Sequence, residues 1–428
     1  MDAVLRLGYD AAGNLARALA AVAPASDTKL LRALRARRGI RARYAAWAHA
    51  DRAAARPLLW MHAPSVGEGL QARPVLQLAR RERPDLQLAY TFFSPSAAAF
   101  ARGLDVDFAD YLPFDTVGDG EAALDALTPR ALVFSKLDVW PNLARVAAEH
   151  DVTLGLVSAT LAEGSSRRRG MAARLLSDAY ARLDAVGAID ARDAERLVDL
   201  GVQRDRIEVT GDTRYDQVWA RVRGVDRAAG FVATLTSDRP TLVAGSTWPT
   251  DERPLLAAWT RVRAAVPEAR LVIAPHEPTD SHLTPIEQWA AEARVRSARL
   301  GGDDAPNADV VIVDRVGVLG DLYALATVAY VGGGFHTAGL HSVLEPAAFG
   351  VPVLFGPRCA NSRDAELLIV AGGGASEATE AGLESRLRTW LTDGSAQRVA
   401  GHAARDLVER GLGAAERSWK LVATLLGA

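Results

Sequence analysis

The stretch over residues 328–357, VAYVGGGFHTAGLHSVLEPAAFGVPVLFGP, limits the possible folds more than any other part of the chain. Its apolar run at 328–331 predicts a buried strand, which breaks at the glycines 332–334. A short helix is predicted from near Val343, and residues 352–355 form a second strand. Strand, glycine turn, helix and strand make a βαβ unit, whose ligands lie at the carboxyl ends of the strands.

Two interpretations of this turn stay open on the residues alone. Three glycines let the backbone approach a ligand closely, and a helix N-terminus offers free N–H groups to an anion. Glu345, one turn into the helix, would repel phosphate but can accept hydrogen bonds from ribose hydroxyls. The alternative is a tight turn with a buried, paired glutamate. The Glu345-Pro346 pair and the second strand's Gly356-Pro357 ending favour a nucleotide site.

The same alternation runs along the rest of the chain. Strands are predicted at 57–62, 86–93, 109–113, 131–134, 153–157, 185–189 and 206–210, and then, after a helix and linker at 221–240, at 241–244, 271–274 and 310–313. Strands that alternate with helices indicate doubly wound parallel sheets. Because the pattern restarts, we predict an α/β fold of two Rossmann-like domains that face each other across a ligand cleft.

Composition excludes several classes of function. The chain has 428 residues and 49% hydrophobic content, which fits two domains. Its net charge of -2 provides no global field to recruit nucleic acid. The single cysteine, Cys359, excludes a disulfide framework and a cysteine metal cluster. We therefore expect neither a nucleic-acid partner nor a bound metal.

Residues 1–47 combine apolar and basic side chains. Leu7, Leu15 and Leu19 lie within a plausible amphipathic helix, and a cluster of Lys and Arg follows at 29–43. A basic amphipathic segment can lie on an anionic membrane surface, but an ordinary solvated helix face explains the pattern equally well. No apolar run reaches the roughly 20 residues that span a bilayer.

Polar residues follow several predicted strands, where active-site residues collect. Ser65, Gly67 and Glu68 follow the first strand, just before a helix predicted from about Leu70. Glu68 could take a proton from an incoming hydroxyl if burial raises its pKa toward neutrality. The alternative is a glutamate in the first helical turn, stabilised by the helix dipole.

Similar clusters follow other strands. Lys136 and Asp138 come after the strand at 131–134, and His276 comes after the strand at 271–274. Gly245, Ser246 and Thr247 form a phosphate-type loop before a helix, without the lysine of a P-loop.

These blocks together resemble the 3-deoxy-manno-octulosonic acid (Kdo) transferases, which move Kdo from CMP-Kdo onto lipid A precursors. The similar blocks are HAPSVGE (62–68), DVWPN (138–142), GDTRYD (211–216), GST (245–247) and the GGGF…GLHSVLEPAAFGVPVLFGP stretch. They occur in the family's order and cover nearly the whole chain. The first and last blocks are the most specific.

The resemblance implies an architecture and a location. It implies the glycosyltransferase B fold, with an acceptor-binding domain at 48–222 and a CMP-sugar-binding domain at 239–405. A C-terminal helix at 406–428 would pack back toward the N-terminal domain. Family members carry a membrane-associating N-terminal helix, so residues 1–47 become a peripheral anchor at the cytoplasmic face of the inner membrane.

The resemblance also implies roles for the clustered residues. Glu68 would be the general base of an inverting transfer, with Asp138 beside it as a second catalytic residue. Ser65, Gly67, Arg73 and Lys136 would contact the acceptor or the sugar carboxylate, for which Arg73 and Lys136 are the available cations. No metal or other cofactor is implied. The donor contacts would come from Gly245, Ser246, Thr247, His276, Gly333, Gly334, His341, Ser342 and Glu345.

The chain departs from the family pattern at identifiable positions. Lys136 stands where the family carries an acidic residue, Thr160 lies where an arginine-containing segment is usual, and Ala274 replaces another arginine. Lys136 reverses the charge at a strand end and would suit a more anionic acceptor. A transferase with another donor or acceptor, or a catalytically weak binding homologue, therefore remains an alternative.

Overall fold

The computed structural model describes residues 3–22 and 28–427. The chain forms two compact units, Met1–Gln217 with Leu412–Ala428, and Val218–Gly411. Each unit contains a seven-stranded sheet in which every strand pairing is parallel. The prediction of two Rossmann-like α/β domains is confirmed.

The first unit begins with three helices and then alternates strands with helices. The strand order is β3-β2-β1-β4-β5-β6-β7. Its elements up to residue 209 are α1 (Ala3–Val22), α2 (Lys29–Ala36), α3 (Ile40–Ala50), β1 (Leu58–His62), α4 (Val66–Glu82), β2 (Gln87–Phe92), α5 (Ala97–Ala101), β3 (Phe108–Tyr111), α6 (Val117–Leu127), β4 (Ala131–Ser135), α7 (Pro141–Glu149), β5 (Thr153–Ala159), α8 (Gly170–Ala181), β6 (Ala185–Ala188), α9 (Ala191–Asp199) and β7 (Ile207–Val209).

The second unit repeats the architecture with strand order β10-β11-β9-β8-β12-β13-β14. The remaining elements are α10 (Arg214–Gly224), α11 (Gly230–Leu235), β8 (Thr241–Thr247), α12 (Pro249–Ala265), β9 (Arg270–Pro275), α13 (Asp280–Glu292), β10 (Ser297–Arg299), β11 (Val310–Ile312), α14 (Leu319–Leu322), β12 (Val328–Val331), α15 (Leu344–Ala348), β13 (Val353–Phe355), α16 (Arg363–Ala371), β14 (Gly374–Ser376), α17 (Glu380–Thr392), α18 (Gly394–Gly411) and α19 (Ala414–Leu425).

The central strands are buried along their whole length. Every residue of β1, β4 and β12 is buried, which is typical of a parallel sheet covered by helices on both faces. The edge strands β10 and β14 were missed by the sequence analysis. Each has three residues, none of them buried, so neither produces an apolar run.

Helix α19 completes the first unit by packing on β5, β6 and α4. Gly155 in β5 permits this approach, since a Cβ there would lie 2.6 Å from Leu425 Cδ1. The Thr153 hydroxyl donates a hydrogen bond to the Leu425 carbonyl at 2.8 Å. Residues 412–427 therefore belong structurally with the N-terminal sheet.

Helix α1 has two distinct faces. On its inner face, the Tyr9 hydroxyl donates to Asp115 Oδ2 at 2.7 Å, and Ala20 is buried. The outer face carries four exposed apolar side chains, which are 52–77% accessible: Leu7, Leu15, Leu19 and Val22. No helix among the described residues is both long and apolar enough to cross a bilayer.

Candidate active-site residues in the two units

Helix α4 begins at Val66, about four residues earlier than predicted. Ser65 is its N-cap, and the Ser65 hydroxyl accepts a hydrogen bond from Gly67 N at 3.2 Å. Glu68 therefore lies in the first helical turn, in the Ser-x-x-Glu spacing of a capping box. The side chain of Glu68 turns back to the cap, where the Ser65 hydroxyl donates to Glu68 Oε2.

A cation reaches the other oxygen of this carboxylate. Lys136 Nζ lies 3.0 Å from Glu68 Oε1, and the Ser135 hydroxyl donates to the Glu68 carbonyl at 3.3 Å. The two segments meet because β1 pairs with β4, with His62 opposite Phe134. The structure thus brings four of the predicted residues together: Ser65, Gly67, Glu68 and Lys136.

The pKa of Glu68 is set by several opposing contacts. Burial alone would raise the pKa of Glu68, as the sequence analysis proposed, but it is outweighed. The hydrogen bond from Ser65, the charge and hydrogen bond of Lys136 and the residue's own backbone N–H together hold the pKa of Glu68 below its ordinary value. The condition of a raised pKa is therefore not met, and the lowered pKa favours the ionised form of Glu68 at neutral pH.

The other two predicted residues of the first unit have different neighbours. Asp138 pairs with Arg167, whose Nη2 lies 2.8 Å from Asp138 Oδ1. Arg73 lies over the ring of Phe100, with the guanidinium carbon 4.5 Å from the ring centroid. Arg73 also lines a cavity of about 380 Å³ beside Arg80. Their proposed roles stay predictions.

In the second unit, one carboxylate that the sequence analysis overlooked organises the glycine turn. Asp251, in the first turn of α12, is fully buried. Its oxygens accept hydrogen bonds from the backbone N–H groups of Trp248 at 3.0 Å, Gly333 at 2.8 Å and Phe335 at 2.9 Å, and from the Tyr330 hydroxyl at 3.2 Å. The sequence contains a signal that could have identified Asp251: it lies three residues after Trp248, the N-cap of a helix that begins with Pro249.

We expect Gly333→Ala to destabilise the second unit by roughly 2–5 kcal/mol, because backbone strain adds to a steric clash. Gly333 has a φ of +93°, and a Cβ there would lie 2.2 Å from the Gly339 carbonyl oxygen. Gly372→Ala is the matched control, since Gly372 has a φ of +81° but nothing within 4 Å. Urea unfolding of both full-length variants measures the difference. Equal losses of unfolding free energy in the two variants would show that the structure relieves the clash between the new Cβ and the Gly339 carbonyl oxygen.

Four aromatic rings form a stack beside this turn. The Trp248 indole lies against His276 and His336, with centroid separations of 4.5 and 4.3 Å, and His276 lies against His341 at 4.5 Å. Trp248 Nε1 donates to His341 Nε2 at 3.2 Å. Two members, Trp248 and His336, were not predicted as site residues.

The predicted phosphate loop has an unexpected local environment. Residues 245–247 are the end of β8, and the buried Thr247 hydroxyl donates to Glu252 Oε1 at 2.8 Å. Asp251 and Glu252 both occupy the first turn of α12. Two carboxylates there disfavour a phosphate at this helix N-terminus. Ser246, which is half-buried, keeps a hydroxyl near the glycine turn.

The remaining donor candidates follow the glycine turn. A Cβ on Gly334 would lie 2.4 Å from the Gly356 nitrogen, so the two strand ends touch here. Ser342 is exposed, and Glu345 lies in the first turn of α15. Burial raises the pKa of Glu345, and the charge of Arg221 opposes this. The structure brings seven of the predicted donor residues to the carboxyl ends of the strands of the second sheet: Gly245, Ser246, Thr247, His276, Gly333, Gly334 and His341.

The chain is similar to known proteins over most of its length. Residues 34–217 match the family model described as 3-deoxy-D-manno-octulosonic-acid transferase (kdotransferase). The 3-deoxy-D-manno-octulosonic acid transferase of Bordetella pertussis is 30% identical over 382 residues, covering 86% of this chain and 87% of that protein. The transferase of the same name from Haemophilus influenzae is 24% identical, covering 84% and 85%.

A solved structure supports the fold independently. The UDP-GlcNAc 2-epimerase of Neisseria meningitidis superimposes with a TM-score of 0.64 at 13% identity, covering 87% of this chain and 100% of the epimerase. At that identity the likeness concerns the fold alone. The similarity to the Bordetella protein is long enough to extend over both units. The chain therefore belongs to the 3-deoxy-D-manno-octulosonic acid transferase family.

Proposed function

We propose that the protein is an inverting glycosyltransferase that moves Kdo from CMP-Kdo onto a lipid A precursor. The observation that carries the proposal is Glu68, an ionised carboxylate held by Ser65 and Lys136 at the carboxyl end of β1. Glu68 takes the proton of an acceptor hydroxyl, and the freed oxygen attacks the anomeric carbon from the side opposite CMP. The bond to the phosphate oxygen breaks, and its electron pair leaves with CMP.

We assign the donor to the second unit. The ring stack that contains Trp248 and His276 lies next to the glycine turn and supplies aromatic contact area and imidazole nitrogens, and the Glu345 carboxyl suits ribose hydroxyls. Ser246 and His276 are the candidates for the phosphate contact, because Thr247 is engaged by Glu252. No step of this proposal needs a metal or a further cofactor.

A specific observation also favours a second candidate, a transferase of the same fold with a more anionic acceptor. Lys136 places a positive charge beside the base, where the family pattern carries an acid. Purified protein is to be assayed with CMP-Kdo and a tetraacyl lipid A precursor, and in parallel with phosphorylated and dephosphorylated acceptors. Kdo transfer to the precursor supports the first candidate. Donor binding without any transfer to the precursor contradicts it.

We further propose that α1 lies on the cytoplasmic surface of the inner membrane, with its exposed leucines in the lipid interface. The double variant Leu15→Gln/Leu19→Gln should bind anionic vesicles at least about tenfold more weakly, because two apolar side chains are lost from one helix face. Vesicle co-sedimentation measures this. Val399→Gln, at a 69% exposed valine on α18, is the control. Unchanged binding of the double variant would remove α1 as the anchor.

A further inference from the structure

Lys136 has a backbone conformation that side chains rarely adopt. Its φ is +67°, in the left-handed region, and its N–H donates to the Val157 carbonyl at 2.9 Å. A non-glycine residue held in such a conformation is strained, and strained residues cluster at functional sites. This turn directs the Lys136 side chain, which is 43% exposed, to the carboxylate of Glu68, which is 17% exposed.

We propose that Lys136 is a positioning residue that keeps Glu68 ionised and oriented for proton abstraction. This inference rests on the proposed function, in which Glu68 is the base. Lys136 donates to Oε1 while Ser65 donates to Oε2, so the carboxylate is fixed at both oxygens. The backbone N–H of Glu68 is a third donor, so one lone pair of the carboxylate stays available to accept the proton of the acceptor hydroxyl.

The other groups around Glu68 cannot replace this cation. His62, in β1, is fully buried, and burial lowers its pKa to about 3, so that it stays neutral. Tyr90, in β2, is also neutral, because burial raises the pKa of its phenol. Arg73 extends from α4 over Phe100, and its charge acts on Tyr90. Lys136 is the cation whose contact with the carboxylate of Glu68 is seen among the described residues.

The ion pair has two opposite effects: it makes Glu68 a weaker base, and it keeps Glu68 ionised at lower pH. Lys136 stabilises the ionised form of Glu68, so a lower pH is needed to protonate the base. The same charge opposes proton uptake during the reaction, because a protonated Glu68 no longer attracts the ammonium group. Without Lys136, fewer contacts would oppose the effect of burial, and the carboxyl of Glu68 would protonate at a higher pH.

Nuclear magnetic resonance titration of the Glu68 carboxyl tests this without requiring turnover. Protein labelled with ¹³C at the glutamate carboxyl is titrated, and the Glu68 signal is assigned by its loss in Glu68→Gln. We expect the Glu68 midpoint to move to higher pH in Lys136→Met and to return toward the wild-type value in Lys136→Arg. The same midpoint in wild type and Lys136→Met would overturn the proposal, whatever the substrate proves to be.

The pH profile of kcat/KM supplies the kinetic readout. In Lys136→Met, the ratio of kcat/KM at pH 5 to that at pH 8 should fall about twofold to fivefold, as expected for a partly exposed ion pair. Arg83→Met, which removes a half-buried cation paired with Asp85, should leave the ratio unchanged. If Lys136 instead bound the sugar carboxylate, the variant would raise KM for the donor at every pH without altering the ratio, which would contradict the positioning role.

If the wild-type protein shows no Kdo transfer at all, the proposed function is contradicted. The titration of the Glu68 carboxyl would still decide the role of Lys136.

Discussion

Replacing Glu68 with glutamine is expected to lower kcat by on the order of 10²-fold or more. Glutamine has the shape of glutamate, and its amide oxygen can still accept a hydrogen bond, but it cannot take up a proton at neutral pH. Because the predicted nucleotide contacts lie in the second unit, the affinity for CMP should be unchanged. Initial rates with CMP-Kdo and a lipid A precursor, together with calorimetric titration of CMP, measure the two quantities.

The control for this experiment is Glu121→Gln, an exposed glutamate in α6 of the same unit. It removes one negative charge without touching the candidate site, so its turnover should match that of wild type. Near-normal turnover of Glu68→Gln would remove Glu68 from the mechanism. A parallel loss of CMP binding would instead show that the substitution disturbs more than proton transfer.

The second large effect is expected from Asp251→Asn, which should destabilise the second unit by roughly 2–4 kcal/mol. Asp251 is fully buried and accepts from three backbone N–H groups and one hydroxyl. An asparagine has one acceptor oxygen, and its amide group would face N–H donors. Buried donors would then lose their partners.

Urea unfolding followed by tryptophan fluorescence measures this loss, and CMP titration reports the accompanying effect on the glycine turn. Asp303→Asn is the matched control, because Asp303 is exposed. Its free energy of unfolding should stay within about 0.5 kcal/mol of wild type. Equal stability of the two variants would mean that the turn does not depend on the carboxylate.

The sequence by itself determined the fold class and the location of the candidate site. Apolar runs such as LLWMH in β1 and VAYV in β12 mark strands buried on both faces, because a covered parallel sheet needs apolar side chains in both directions. Polar residues after these runs lie at the strands' carboxyl ends, so Glu68 and the glycine turn were found without coordinates. The edge strands β10 and β14 were missed, because SAR and GAS contain no run of large apolar side chains.

Only the tertiary structure decided how these residues act. The Lys136–Glu68 pair joins residues 68 positions apart, and the Asp251–Gly333 bond spans 82. Both contacts arise because crossover connections bring distant strand ends together, β4 beside β1 and β12 beside β8. The pKa of Glu68 reflects burial against the hydrogen bond from Ser65 and the charge of Lys136, and the left-handed turn at Lys136 sets the 3.0 Å contact of that charge. The spacing of residues along the chain does not predict the distance between Lys136 and Glu68. The direction of the Glu68 pKa shift therefore became known only from the tertiary structure.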